Sequence, residues 1–212
     1  MELINTLAAA YAEKYSSPEP GWAQVLAAET RSIHPKHHML SGHVQGRFLS
    51  VLSQIMQPNY ILEIGTFTGY SAGCLAEGLT PHGELHTIEC REQDASIAAS
   101  HWKQLPQSHQ IHLHVGNALN IIPGIDRIWD LVFLDADKIN YCNYYQLIMP
   151  KLRKGGLLIA DNVFFHGEVL QPILSGKNAI AIQQFNEMVA ADNSCEKVVV
   201  TIRDGITLIV KK

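Results

Sequence analysis

Three oxygen-bearing side chains and one amine stand where they could do chemistry together. Asp135 closes an apolar run, Trp129-Asp-Leu-Val-Phe-Leu134, and Asp161 with Asn162 closes another, Leu157-Leu-Ile-Ala160. If the two runs are neighbouring strands, their ends lie about 5 Å apart and the three donors can converge. Carboxylates and an amide carbonyl are hard ligands, suited to Mg²⁺ or Ca²⁺ and poorly suited to zinc. Three protein oxygens would leave positions of an octahedron open to water and substrate. Lys138, three residues past Asp135, is one helical turn on and could project over the same cleft. Beside a cation and partly desolvated, its pKa would fall, which suits a general base. Each residue also has a plainer use, Asp135 as a helix N-cap and Lys138 as a solvated helix lysine. The two clusters together favour the metal.

A second stretch, Tyr60-Ile-Leu-Glu63-Ile-Gly65-Thr66-Phe67-Thr68-Gly69-Tyr70-Ser71, reads as strand, turn and helix. Backbone N–H groups at such a helix start face the carboxyl end of the strand, where open α/β sheets bind ligands. A dinucleotide fingerprint requires glycines where this chain has Phe67 and Tyr70. A pyrophosphate would meet side chains there, so a smaller zwitterion fits better, and Glu63 could answer its ammonium group. Glu89, with Cys90 beside it, closes the next apolar run about where a ribose-binding acid belongs. Gly116-Asn117-Ala118 follows a third run, Ile111-His-Leu-His-Val115, where backbone and Asn117 could read an adenine edge. Adenosine with a cationic tail that is not a phosphate describes S-adenosylmethionine (SAM).

The elements that must hold these groups alternate. Strand and helix patterns succeed one another from Tyr60 to Ala160, which predicts a parallel, doubly wound sheet. The last two strands, Val198–Ile202 and Ile206–Val210, are joined by Arg203-Asp-Gly205 and read as an antiparallel hairpin. Seven strands result. Before them, Leu3, Ile4, Leu7 and Tyr11 mark an amphipathic helix, Trp22 to Thr30 a second, and Val44 to Ile55 a third. The expected organisation is one domain, 1–212, with a helical cap over 1–57 and a Rossmann-like core over 58–212. Between cap helices lies a loop with His34, His37 and His38. Its spacing across Pro35 fixes no ligand geometry, so solvated histidines are the reading there. His112 and His114 alternate along one strand and read as a half-exposed face.

The chain has 212 residues, 47% of them hydrophobic, with 16 Lys and Arg against 20 Asp and Glu. The net charge of −4 and the lack of a basic block argue against nucleic acid as the obligatory partner. No apolar run approaches the ~20 residues of a bilayer span, and Met1-Glu-Leu-Ile-Asn-Thr-Leu7 lacks the basic start of a signal peptide. The four cysteines form no CxxC pair. A reduced, cytoplasmic protein is expected.

Taken together, Leu62-Glu-Ile-Gly-Thr-Phe-Thr-Gly-Tyr-Ser71, Thr87-Ile-Glu89, Leu134-Asp-Ala-Asp-Lys-Ile-Asn-Tyr141, Ala160-Asp-Asn162 and Asp204-Gly-Ile-Thr-Leu208 resemble the cation-dependent class I O-methyltransferases of the caffeoyl-CoA and catechol kind. The likeness runs from about Met39 to the C-terminus. It implies that Gly65, Thr66, Phe67, Tyr70 and Ser71 line the methionine and ribose end of SAM. Glu89 would take the ribose hydroxyls, and Gly116 with Ala118 would flank the adenine. Met39 and Ser41 would close over the cofactor, which Asp135 also borders. Asp135, Asp161 and Asn162 match the metal ligands, with Mg²⁺ the first expectation and Ca²⁺ or Mn²⁺ the alternatives. Lys138 matches the base. The implied acceptor is a catechol-type or hydroxycinnamoyl-type hydroxyl, with Trp22, Tyr141 and Tyr144 as candidate walls, and the implied assembly is a homodimer. The histidine loop and Phe164-Phe-His-Gly-Glu168 match no recognition pattern. Three alternatives stand beside this one: a tRNA wobble-hydroxyl methyltransferase of the same family, a nicotinamide-dependent dehydrogenase, and a non-catalytic binding protein that keeps the fold without turnover.

Overall fold

The computed structural model describes residues 4–212; Leu3, counted in the first helical stripe, and the signal-peptide reading of Met1 and Glu2 lie outside them. Three helices precede the sheet: α1 (Thr6–Tyr15), α2 (Gly21–Ile33) and α3 (His43–Met56). Then β1 (Tyr60–Ile64), α4 (Tyr70–Ala76), β2 (Glu84–Glu89), α5 (Glu92–Trp102), β3 (Ile111–Val115), α6 (Ala118–Ile121), β4 (Trp129–Leu134), α7 (Tyr141–Lys151) and β5 (Leu152–Asp161) alternate. The chain ends with α8 (Lys177–Ala191), β6 (Cys195–Val200) and β7 (Ile206–Lys211).

The seven strands form one sheet in the order β3-β2-β1-β4-β5-β7-β6. The first five are parallel, and β7 runs antiparallel to both β5 and β6. The doubly wound sheet with a C-terminal antiparallel pair is therefore present. Central strands covered on both faces need apolar residues at every position, and all six residues of β4 are buried. Leu62, Val132 and Leu158 face a core shared with Tyr141, Tyr145, Ile148 and Phe185 of α7 and α8. Ile61, Phe133 and Ile159 face the other core, with Leu26, Leu49, Leu75 and Trp102 of α2 to α5.

α7 meets Pro150 and ends at Lys151, and Leu152 starts β5. Two local readings change. Strand β6 begins three residues earlier than Val198 and stops at Val200. α1 is a helix, capped by Asn5 Oδ1 accepting from the N–H of Leu7 and Ala8, but its stripe faces outward: Leu7, Tyr11 and Tyr15 are 80%, 66% and 64% exposed. Among the described residues no helix is long and apolar enough to cross a membrane. All four cysteines are free.

Candidate active site

Because β4 and β5 are neighbours in parallel register, with Leu134 opposite Ala160, Asp135 and Asp161 follow at adjacent strand ends. Gly65 ends β1 on the other side. Its φ is +103°, and a Cβ there would lie 1.9 Å from the Asp135 carbonyl oxygen, so only glycine lets the two strand ends approach this closely. Gly69 makes the same kind of approach to the indole of Trp102, at φ +92°, and its carbonyl accepts from Trp102 Nε1 at 2.9 Å.

The ammonium of Lys138 sits among the oxygens. It donates to Asp135 Oδ1 at 2.8 Å, Asn162 Oδ1 at 2.7 Å and Tyr141 Oη at 2.7 Å. Lys138 lies in a short 3₁₀ turn, Lys138–Asn140, that precedes α7, not a full helical turn into it. Burial alone would lower its pKa, but the charge of Asp135 and the Asp135 and Tyr141 bonds outweigh burial and hold it above its ordinary value. Asp161 is 2% exposed. Its Oδ2 accepts from Gln45 Nε2 at 2.5 Å and its Oδ1 from the Asn162 N–H at 2.7 Å. Burial, then repulsion by Asp135, pushes its pKa up to about 6 against the opposing pull of Lys138. Asn162 is left-handed at φ 58°, a conformation Asn tolerates better than most residues, and its Nδ2 reaches Asp204 Oδ2 at 3.4 Å.

This donor set fits a hard divalent cation. It is all oxygen, it carries two carboxylates whose mutual repulsion is only partly relieved, and a cationic group already stands against Asp135 and Asn162.

The turn after β1 is built around two buried acids. Glu63 is fully buried, and its oxygens accept from Ser71 Oγ and Thr87 Oγ1, both at 2.5 Å. Burial pushes its pKa up to about 8 despite those hydroxyls. The role of answering an ammonium group requires the ionised form, which an arriving cation would favour. Glu89 Oε2 accepts the N–H of Phe67 at 2.8 Å, while Oε1 takes Arg91 N and Nε at 3.0 and 3.1 Å and Cys90 Sγ at 3.6 Å. A carboxylate has about four lone-pair positions, so Oε2, which accepts only from Phe67 among these groups, retains an acceptor position. Phe67 holds a left-handed φ of 51°, costly for a bulky side chain at about 1–3 kcal/mol, and His34 packs edge-on to its ring at 4.7 Å. Thr66 Oγ1 pairs with Thr87 at 2.5 Å, and Tyr70 Oη donates to Glu19. The loop histidine is thus part of the turn's packing, and its Nε2 lies 2.9 Å from Asp94 Oδ1.

Gly116 follows β3 with its N–H on the Glu89 carbonyl at 2.9 Å, and Ala118 opens α6. Asn117 caps that helix, its Oδ1 accepting from Leu119 N at 2.9 Å, which leaves its amide N–H₂ for a ligand. Met39 is 42% exposed at the end of a 3₁₀ turn, and Ser41 is buried. Trp22 is not placed as an acceptor wall: its ring lies over Gly73, whose added Cβ would be 2.4 Å away. Tyr144 Oη is spent on Asp137 Oδ1 at 2.6 Å.

Sequence reasoning missed Gln45, Arg203 and the hydroxyl of Tyr141. Arg203, left-handed at φ 49° in the β6–β7 turn, donates to Gln45 Oε1 at 2.9 Å and to the Ser41 carbonyl. A chain of contacts therefore runs from the hairpin through Gln45 to Asp161. Beside it, a cleft of ≈ 530 Å³ is lined in part by Ser41, Gln45, Arg203, Arg31, His37 and His38.

A mostly parallel sheet with this strand order and a C-terminal antiparallel pair, a glycine turn after β1 and an acid ending β2 define a class I, Rossmann-like methyltransferase. The chain belongs to the O-methyltransferase family, whose sequence profile matches residues 13–212; members of that family use SAM as methyl donor. It is 31% identical to a Dictyostelium discoideum protein named "Probable caffeoyl-CoA O-methyltransferase 2", over 95% of this chain and 90% of that one. It is also 31% identical to the catechol O-methyltransferase of Niastella koreensis, over 79% of this chain and 80% of that one. The crystal structure of the O-methyltransferase TomG from Streptomyces achromogenes, in complex with SAM, superposes with a TM-score of 0.89 at 30% identity, covering 100% of this chain and 99% of that one.

Proposed function

We propose that this chain transfers the methyl group of SAM to a hydroxyl of a catechol-type or hydroxycinnamoyl-type acceptor, assisted by a divalent cation, Mg²⁺ first and Ca²⁺ or Mn²⁺ after it. The observation that carries the reading is the meeting of Asp135, Asn162 and Lys138 within hydrogen-bonding distance, with Asp161 at the adjoining strand end. The names of the relatives support the acceptor class, and the SAM complex of TomG supports the donor.

In this reading Gly65, Thr66, Phe67, Tyr70 and Ser71 hold the methionine end, and Glu89, Cys90, Gly116, Asn117 and Ala118 hold the nucleoside. Met39 and Ser41 cover it, Asp135 borders it, and Glu63 supplies a buried negative charge once ionised. SAM, when bound, supplies an electrophilic methyl on a sulfonium. Asp135, Asp161 and Asn162 would hold the cation, which would supply Lewis-acid assistance to loss of a phenolic proton at neutral pH. Lys138 would act as the base only after its ammonium has lost a proton to solvent; its neutral Nζ then accepts the phenolic proton and becomes an ammonium again. Free phenols titrate near ~10, so proton removal at pH 7 needs this help. Holding oxygen and methyl in line supplies much of the remaining acceleration. The homodimer implied by the family belongs to the same reading, with the outward stripe of α1 as its candidate contact.

The test is methyl transfer from labelled SAM to catechols, hydroxycinnamoyl thioesters and tRNA, each with Mg²⁺ or with EDTA. Catechol or thioester turnover that EDTA abolishes is expected; turnover on tRNA alone, or turnover indifferent to EDTA, overturns the reading. Asp161→Ala should lose the Mg²⁺-dependent rate while SAM affinity is retained. Parallel loss of both would make Asp161 a structural residue.

A further inference from the structure

The half-exposed histidine face of β3 does not stand alone. β3 is an outer strand of the sheet, and His112 is the register partner of His86 on β2. His86 stacks on His112 at 4.9 Å and on His114 at 5.3 Å. Its Nδ1 lies 3.0 Å from His114 Nε2, and its Nε2 lies 3.1 Å from Glu84 Oε2. One ligand atom each from Glu84, His86 and His112 lie within 4.8 Å of one another. Glu84 opens β2, so the cluster is set back from the carboxyl strand ends that carry Glu63, Glu89, Asp135 and Asp161.

We propose that Glu84, His86 and His112 form a second metal site, for a divalent transition ion of borderline softness such as zinc, nickel or copper, with His114 fixing the tautomer of His86. Imidazole and carboxylate are the ligands such ions take, in contrast to the all-oxygen set at Asp135. With His86 donating its Nδ1–H to His114 Nε2 in a hydrogen bond, the His86 Nε2 lone pair and the Glu84 carboxylate face each other as two acceptors. A cation on Nε2 would bridge the two, beside the Arg127 guanidinium that already holds Glu84 Oε2. Ligand atoms around a four-coordinate zinc with ~2.0 Å bonds stand ~3.3 Å apart, close to the Glu84–His86 spacing. His112 is exposed and can swing inward, leaving a fourth position for water. Arg127 also holds Glu84, at 3.0 Å, and stays outside the three ligands. The bound ion would clip β3 to β2, and it plays no part in methyl transfer.

Trp129 provides the readout, its indole lying edge-on to His86 at 5.6 Å, whereas Trp22 and Trp102 pack on the opposite face of the sheet. The tag-free, metal-stripped full chain is titrated with Cu²⁺ or Ni²⁺ while tryptophan emission is followed. Saturable quenching at one ion per chain is expected, lost in Trp129→Phe and weakened at least about tenfold in His112→Ala and Glu84→Gln. Zinc at a hundredfold excess over its Kd should raise the thermal midpoint by about 5–10 °C, and not in His112→Ala. If Glu84→Gln fails to fold because Arg127 loses its partner, the exposed His112→Ala decides alone. No saturable binding, binding unchanged in His112→Ala, or binding that instead disappears in a His37→Ala/His38→Ala variant would overturn the proposal.

Discussion

Lys138 is held charged by the same oxygens that would bind a cation, so its observed place as a counter-ion and its proposed role as a base exclude one another in time. As an ammonium it neutralises Asp135; as a base it must first be released from that carboxylate. This predicts that Lys138→Ala costs about 10²-fold or more in kcat near pH 7, the usual worth of a general base. The loss should shrink as pH rises toward the pKa of the acceptor, because the hydroxyl then ionises unaided. A rate–pH profile with a constant deficit from pH 7 to 9.5 would remove Lys138 from proton transfer and leave it as a counter-ion. The types and spacing of Asp135, Lys138, Asp161 and Asn162 were legible in the sequence because strand ends can be found from apolar runs. The electrostatic state of Lys138 was not, since it depends on Tyr141 and Asn162 arriving from separate elements.

Strand ends converge here because one residue has no side chain. With a Cβ at 1.9 Å from the Asp135 carbonyl and a φ of +103°, Gly65→Ala must push β1 and β4 apart at the site. Strain and backbone displacement together should cost at least about 2 kcal/mol, a fall of about 4–8 °C in the thermal midpoint for a chain of this length. Both SAM affinity and cation response should fall with it, since the turn and Asp135 move together. A variant with an unchanged midpoint would mean that the strand ends are softer than this packing implies. Periodicity found all seven strands and the antiparallel ending, because β1, β4 and β5 are apolar runs bounded by turns. It could not find the support of Asp161. Gln45 lies 116 residues from Asp161, and Arg203 lies 158 from Gln45. Nothing local in α3 distinguishes a glutamine that braces a buried strand-end acid from one that faces water. The outward stripe of α1 was hidden for the converse reason: an amphipathic pattern states that a face wants cover, not what covers it.

That uncovered face bears on assembly. If a second copy covers α1, the chain should sediment as a dimer, and Leu7→Asp with Tyr11→Asp should shift it to monomer. A wild-type monomer across the micromolar range would remove α1 from that role. The stability of the folded chain carries a further signature, from Glu63. An acid whose folded pKa is raised binds more protons folded than unfolded, so its contribution is complete below about 4.5 and is lost as pH rises toward about 8. Asp161 has the same sign but is finished by about 6. His86 and His114, with lowered pKa, act oppositely, and only below about 6.5. Between pH 6.5 and 8 the pH dependence of stability is therefore set mainly by Glu63. The ligand-free protein should lose stability across that window, by up to about 2 kcal/mol at the limiting slope of 1.36 kcal/mol per pH unit. Saturating SAM should flatten the slope, because a bound sulfonium and ammonium favour ionised Glu63 and the folded complex no longer holds the extra proton. By the same linkage, SAM binding below pH 8 should release a proton, measurable by calorimetry in buffers of differing ionisation enthalpy. Glu63→Gln removes the titrating group and should abolish both effects together. Urea midpoints that fall equally with pH in the wild type and in Glu63→Gln would assign the dependence to another group and leave Glu63 a neutral hydrogen-bonding residue.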